Sequence, residues 1–192
     1  MSLSIIIGPM QSGKSSELRK RISRYITWTK VLVLNSSNDT RTKTDSLSTH
    51  DKTININLKA FKVNNLVEVK DWEIYKDAKI IGIDEAQFFG EDLIKFVALS
   101  ILDQKHVIVA GLDSDMNLNT FGHINKLIPL ASEIVKLESY CGICKDGTPA
   151  HFTHCINRHS DDIIQVGDGV DYVPVCFKHY CMLNKNPLQQ YI

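Results

Sequence analysis

Gly8-Pro9-Met10-Gln11-Ser12-Gly13-Lys14-Ser15 decides how this chain is read. The stretch fits G-x-x-x-x-G-K-[ST], the spacing of a phosphate-binding loop, and such a loop needs a strand before it and a helix after it. Leu3-Ser4-Ile5-Ile6-Ile7 is short, apolar and β-branched, the composition of a buried strand. From Glu17 to Ile26, Leu18, Ile22, Tyr25 and Ile26 recur at helical spacing, with the basic residues mostly on the other face. Gly8 and Gly13 reach backbone angles that side chains disfavour. Successive N–H groups then turn inward on phosphate oxygens at the positive end of the helix. Lys14 brings a mobile cation to the transferred phosphate, and the Ser15 hydroxyl ligates Mg²⁺. A glycine-rich turn before an ordinary helix is the plainer alternative, and the flanking strand and helix weigh against it.

Val31-Leu32-Val33-Leu34-Asn35 is a second apolar run, so strand, helix and strand follow one another as a βαβ unit of a parallel sheet with helices on its faces. Lys79 to Glu85 and His106 to Asp113, the latter ending in a glycine turn, add two more buried strands. Asp92 to Leu102 reads as a helix carrying Leu93, Ile94, Phe96, Val97, Leu99, Ile101 and Leu102. Leu66 to Tyr75 is expected as a short helix, the alternation Ile54, Ile56, Leu58 as a half-exposed strand, and Lys126 to Leu137 as a further apolar segment. The strand that ends in Asp84-Glu85 carries the second chemical signal. The first carboxylate of such a pair holds Mg²⁺ beside the nucleotide. Glu85 follows at the carboxyl edge of the sheet, where ligands of open α/β folds collect, and is placed to take a proton from an attacking hydroxyl. Two acids that merely favour a helix N-terminus are the alternative. Within the polar stretch Ser36 to Lys52, Asp39-Thr40-Arg41 and Thr49-His50-Asp51 hold side chains able to meet phosphate, against the reading of a plain surface loop.

At Glu138 the composition changes, and all five cysteines lie beyond it. Cys141-Gly142-Ile143-Cys144 and Cys176-Phe177-Lys178-His179 form two knuckles, C-x-x-C and C-x-x-H, the donor set of a closed structural zinc site. Cys181 in place of His179 is the alternative fourth ligand, and a redox C-x-x-C is the rival reading of the first pair. His50, His123, His151, His154 and His159 have no such partner in the sequence. The division expected is a nucleotide-binding domain over 1–137 and a zinc-binding domain with its tail over 138–192. Basic and acidic residues balance at 22 each, so net charge calls for neither nucleic acid nor a membrane surface. No apolar run approaches the ~20 residues of a membrane span, and Met1 to Ile7 lacks the features of a leader, so a cytoplasmic location is expected.

Taken in order, Gly8 to Ser15, Asp39-Thr40-Arg41, Thr49-His50-Asp51, Asp84-Glu85-Ala86-Gln87-Phe88-Phe89, Gly111-Leu112-Asp113, Phe121-Gly122 and the Cys/His knuckles resemble the type II thymidine kinases. The resemblance runs from about Ser4 to Cys181 and implies a P-loop NTPase-type parallel sheet flanked by helices, plus a small C-terminal zinc-binding lasso. It implies transfer of the γ-phosphate of Mg·ATP to the 5′-hydroxyl of thymidine, and of deoxyuridine, with Glu85 matching the catalytic base. The segments Gly8, Pro9, Met10, Gln11, Ser12, Gly13, Lys14 and Ser15, then Asp39, Thr40 and Arg41, then Asp84 and Gln87 match the family's nucleotide contacts. Substrate contacts are implied for Met10, Phe88, Leu112, Met116, Phe121, Phe152, Thr153, Ile163, Ile164, Gln165, Val166, Gly167 and Tyr172. The resemblance also implies a homotetramer and feedback inhibition by thymidine triphosphate. Gln11, Met116 and the longer stretch His154 to Arg158 depart from the usual family pattern. A kinase-like binding or regulatory protein without catalysis is one alternative, against which intact Lys14, Ser15, Asp84 and Glu85 speak, and an ATPase whose zinc knuckle binds nucleic acid is another. Asp146, Asp161, Asp162, Asp168 and Asp171 between Cys141 and Cys181 argue against it.

Overall fold

Side chains that alternate between two covered faces build the centre of the molecule. In the computed structural model, which describes residues 1–38, 59–156, 172–184, 188 and 191–192, strand β1 (Ser2–Ile7) sends Leu3, Ile5 and Ile7 into one core and Ile6 into another. Helix α1 (Lys14–Ser23), strands β2 (Val31–Ser36) and β3 (Phe61–Val63), helix α2 (Glu73–Asp77), strand β4 (Ile80–Asp84), helix α3 (Asp92–Leu102) and strands β5 (His106–Gly111) and β6 (Glu133–Lys136) complete the main layer. The six strands are all parallel, in the order β3-β2-β4-β5-β1-β6. Leu18 and Ile22 of α1 cover the face that carries Ile6, Val33 and Ile108, while Tyr75 of α2 and Leu93, Phe96 and Val97 of α3 cover the other. Burial on both faces is why these strands read as continuous apolar runs.

The crossover from β1 to β2 passes over two positions, which β5 and β4 fill. Ile7 pairs with Gly111 and Asn35 with Asp84, so the loops after β1, β4 and β5 leave the sheet at one edge.

Several sequence expectations change in detail. Helix α1 stops at Ser23, where the chain turns back towards β2, and Ile26 is left exposed rather than on the helix's apolar face. Leu102 closes α3 and is likewise exposed, because that helix buries Leu93, Phe96, Val97 and Ser100. Leu66 to Tyr75 is not one helix. A 3-10 turn, Val67–Asp71, is separated from α2 by Trp72, whose extended backbone (φ −71, ψ 138) lets its ring pack edge-on against Phe61. Lys126 to Leu137 divides in the same way, into a 3-10 stretch Ile124–Leu130 with Pro129 inside it and then β6. The strand expected around Ile54 to Leu58 lies outside the described residues.

Beyond Leu137 come strands β7 (Ser139–Tyr140), β8 (Pro149–Ala150), β9 (Phe152–Cys155) and β10 (Tyr172–Val175) and helix α4 (Phe177–Leu183). β7 pairs with β8 and β9 with β10, both antiparallel, around a small separate core of Cys141, Ala150, Val175, Cys176 and Tyr180. No helix among the described residues is long and apolar enough to cross a membrane.

At the opposite, amino edge of the sheet, Lys105 is buried at 4% exposure. Its Nζ donates to the carbonyls of Tyr75 and Ala78, both at 2.7 Å, and lies 4.5 Å from the centre of the Tyr75 ring. The ammonium thereby satisfies the last carbonyls of α2, and burial lowers its pKa. Lys105→Met would leave those carbonyls without a donor. The expected loss is ~2–4 kcal/mol in urea unfolding, with nucleotide and substrate KM unchanged because the site lies at the other edge.

Candidate active site

The loop after β1 has the backbone that its glycines allow. Gly8 stands at φ 149, where an added Cβ would come 2.5 Å from the Leu137 carbonyl oxygen, and Gly13, at φ 82, begins α1 in the left-handed region. Gln11 also adopts positive φ, 59°, and is exposed. Lys14 is nearly buried at 9% exposure, and its Nζ donates to the Pro9 carbonyl at 2.6 Å. Among the described residues, the chain beyond Leu137 touches this loop through the Met10 N–H on Thr153 Oγ1 at 3.1 Å and the Ser139 hydroxyl on the Gln11 carbonyl at 3.2 Å.

Two strands away, Asp84 ends β4 at 4% exposure, and its carboxylate accepts from the Glu85 N–H at 3.0 Å. Burial, and next the charge of Glu85, raise the Asp84 carboxyl to about 7, against the pull of Ser15, the Glu85 N–H and Lys14. A buried acid pushed up beside a second carboxylate and a hydroxyl is a site whose charge a divalent cation would restore. Glu85 turns out of the strand at φ 50, ψ 42, a left-handed conformation uncommon for a residue with a side chain. Its Oε2 accepts from Gln87 Nε2 at 2.6 Å, and Gln87 Oε1 accepts the Leu112 N–H at 2.9 Å. Gln87, expected among the nucleotide contacts, is thus buried between Glu85 and the loop that follows β5.

That loop is organised by Asp115. Its Oδ1 accepts the N–H groups of Asn117 and Asn119 at 2.8 and 2.9 Å, and Ser114 bridges to Thr120. The pattern Asp115-x-Asn117-x-Asn119 was a legible sign of such an Asx-stabilised turn, although the loop offered no regular periodicity. Met116 is buried here, and its carbonyl accepts the Tyr180 hydroxyl at 2.7 Å. Burial pushes that phenol up to about 12, so it remains a donor across the neutral range. Tyr180 was not singled out in the sequence, and only the docking of α4 reveals it. Phe88 and Phe121 meet edge-on at 5.8 Å between centroids, while Phe152 stacks on Tyr180 at 5.0 Å and so lies against the small core. Tyr172 pairs across the hairpin with Cys155. Asp39, Thr40 and Arg41, and Ile163 to Gly167, lie outside the described residues.

Cys141, Cys144, Cys176 and His179 bring one donor atom each to within 4.8 Å of one another, and Cys181 does not belong to the group. His179 Nδ1 is 3.5, 3.3 and 3.4 Å from the three sulfurs, and the Cys144 and Cys176 sulfurs are 3.9 Å apart. A zinc tetrahedron with bonds of ~2.3 Å to sulfur and ~2.0 Å to nitrogen has edges of roughly 3.5 Å between nitrogen and sulfur and roughly 3.8 Å between sulfurs. The cluster therefore has the size of a Cys3His zinc site. Burial alone would raise the Cys141 thiol. The backbone N–H groups of Cys144, Cys176 and Ile143, with His179, bring it down to about 6 instead, the thiolate a metal requires.

Residues 1–180 match the family described as thymidine kinase. The thymidine kinase of Amsacta moorei entomopoxvirus is 43% identical, over 92% of this chain and 96% of its own. Thymidine kinase a of Arabidopsis thaliana is 40% identical over 92% of this chain and 73% of its own, and the monkeypox virus thymidine kinase 39% over 93% and 96%. A likeness that extends over nearly the whole chain, with the phosphate loop, the Asp84-Glu85 pair and the Cys3His cluster assembled as described, leads to one conclusion. This chain belongs to the thymidine kinase family.

Proposed function

We propose that the chain transfers the γ-phosphate of ATP to the 5′-hydroxyl of thymidine, and of deoxyuridine, to give the 5′-monophosphate for nucleotide salvage. The observation that carries this reading is the buried Asp84 carboxyl at the end of β4, drawn down by Ser15 and Lys14 of the phosphate loop, with Glu85 one residue beyond at the edge where the Gly8 to Ser15 loop leaves the sheet. Loop amides and the start of α1 hold the phosphates, and Lys14, released from the Pro9 carbonyl, meets the charge that builds on the transferred group. Mg²⁺ would be held through Ser15 and Asp84, and when bound with ATP it neutralises charge on the phosphate oxygens. Glu85 receives the proton of the 5′-hydroxyl as that oxygen attacks the γ-phosphorus and ADP departs. Met10, Leu112, Met116, Phe88, Phe121, Thr153 and Tyr172 belong to the nucleoside side of the site in this reading. Asp39 to Arg41 and Ile163 to Gly167 extend its two sides.

The same reading divides the chain into a kinase domain over 1–137 and a lasso over 138–192, with zinc held by Cys141, Cys144, Cys176 and His179. It includes a cytoplasmic location, inhibition by thymidine triphosphate and assembly into a homotetramer. β6 supports assembly: among the described residues it pairs only with β1, and Ile134 is exposed on it.

Three outcomes are expected. Supplied with labelled Mg·ATP and a panel of deoxynucleosides, the protein phosphorylates thymidine and deoxyuridine. Glu85→Gln lowers turnover by ~10²–10⁴-fold while calorimetry finds thymidine affinity nearly unchanged. Hydrolysis of ATP with no nucleoside product would overturn the reading.

For zinc, elemental analysis of fresh protein finds one equivalent per chain, and Cys144→Ser loses it and raises the thymidine KM. Well under one equivalent in the parent would remove the metal from the account.

A further outcome concerns pH. Asp84 titrates higher in the folded chain than its ordinary 3.8, so the folded state holds the extra proton and loses stability as pH rises from about 4 to about 7. In protein stripped of Mg²⁺ and nucleotide, Asp84→Asn removes that decline. Identical urea midpoints for parent and variant across the window would refute it.

A further inference from the structure

Gln87 is 3% exposed, and both ends of its amide are engaged: Nε2 donates to Glu85 Oε2 at 2.6 Å, and Oε1 accepts the Leu112 N–H at 2.9 Å. A backbone N–H only donates, so the amide oxygen must face Leu112 and the NH₂ must face Glu85. Backbone packs closely around Gln87. A Cβ on Gly111 would stand 2.7 Å from Gln87 Oε1, and one on Gly122, itself at φ +62, would stand 2.2 Å from the Gln87 carbonyl oxygen. Glycine at 111 lets the end of β5 close on this side chain, and glycine at 122 lets a second stretch of chain close on the Gln87 backbone. Glu85, by contrast, sits at the start of a short turn at φ 50 with no capping side chain. A carboxylate on several rotatable bonds needs an outside partner to keep one orientation.

We propose that Gln87 is a positioning residue for Glu85 and not a nucleotide ligand. It ties the carboxylate to the Leu112 backbone, so that the proton acceptor and the nucleoside-side loop after β5 keep a common register. The proposal rests on reading Glu85 as the proton acceptor. In the reaction the O–H bond of the 5′-hydroxyl breaks, its proton passes to Glu85, its oxygen bonds the γ-phosphorus, and the bond to ADP breaks. Gln87 neither gives nor takes a proton. By holding Oε2 it aims the carboxylate, which makes turnover the quantity it governs rather than affinity for ATP.

Gln87→Met keeps the side chain's length and removes both hydrogen bonds. Gln87→Glu keeps an acceptor for the Leu112 N–H but sets a second carboxylate against Glu85. For each variant, kcat and the KM values for Mg·ATP and thymidine are measured beside the melting temperature, with Glu85→Gln as reference. Both Gln87 variants are expected to lower kcat by ~10-fold or more while the ATP KM stays within ~3-fold of the parent. A raised ATP KM with kcat retained would make Gln87 a nucleotide ligand and overturn the proposal. If Gln87→Met does not fold, Gln87→Glu decides on the same criteria. Should Glu85→Gln keep its turnover, the proton-acceptor reading falls and takes this inference with it. Should Glu85→Gln be inactive while both Gln87 variants turn over like the parent, this inference alone falls.

Discussion

The parallel register of β1, β5 and β4 is the constraint on which the working edge depends. Ile7 is level with Gly111, and Ile5 and Ile83 are both level with Val109. Parallel strands finish at the same side of a sheet, so the phosphate loop, the Asp84-Glu85 pair and the loop from Leu112 emerge together. The register is enforced by the two apolar faces, since a one-residue slip of β1 would send Ile6 to the α3 side and Leu3, Ile5 and Ile7 under α1. The chemistry at the edge is thus held by hydrophobic burial well below it.

The edge itself is poised around charge. Asp84 is buried beside Glu85, and Lys14 folds back on the Pro9 carbonyl. Two acids and one sequestered cation form an arrangement that a nucleotide and its metal complete. The left-handed turn at Glu85 takes the chain out of line with β4 directly after Asp84.

The small lobe after Leu137 reaches this edge from the other side. It has few buried residues, and a core of that size leans on a metal for stability. Helix α4 carries His179 of the cluster and, next to it, Tyr180, whose hydroxyl holds the Met116 carbonyl and whose ring stacks on Phe152. Thr153, the neighbour of Phe152, receives the Met10 N–H of the phosphate loop. These contacts connect the Cys/His cluster to both loops of the site.

Local features were legible because their causes are local. The run Leu3 to Ile7, the spacing from Gly8 to Ser15, helix Asp92–Leu102 and the two Cys/His knuckles follow from steric freedom, periodicity and donor spacing within a few residues. Where neighbours in space compete with the local pattern, the sequence was a poorer guide. Trp72 breaks the expected helix to meet Phe61, and α1 ends before Ile26 because the chain must return to β2. Gln87 shows the difference most plainly. Its position after Asp84-Glu85 places it beside a phosphate site, but only the approach of Gly111 and Leu112 decides which way its amide faces. By itself the sequence determined the parallel α/β class, the phosphate loop, the acidic pair and the two Cys/His knuckles. The tertiary structure alone decided that β5 and β4 lie between β1 and β2, that Tyr180 grips the Met116 loop, and that Gln87 joins Glu85 to Leu112. Those contacts join residues distant along the chain, and the packing of whole elements sets them.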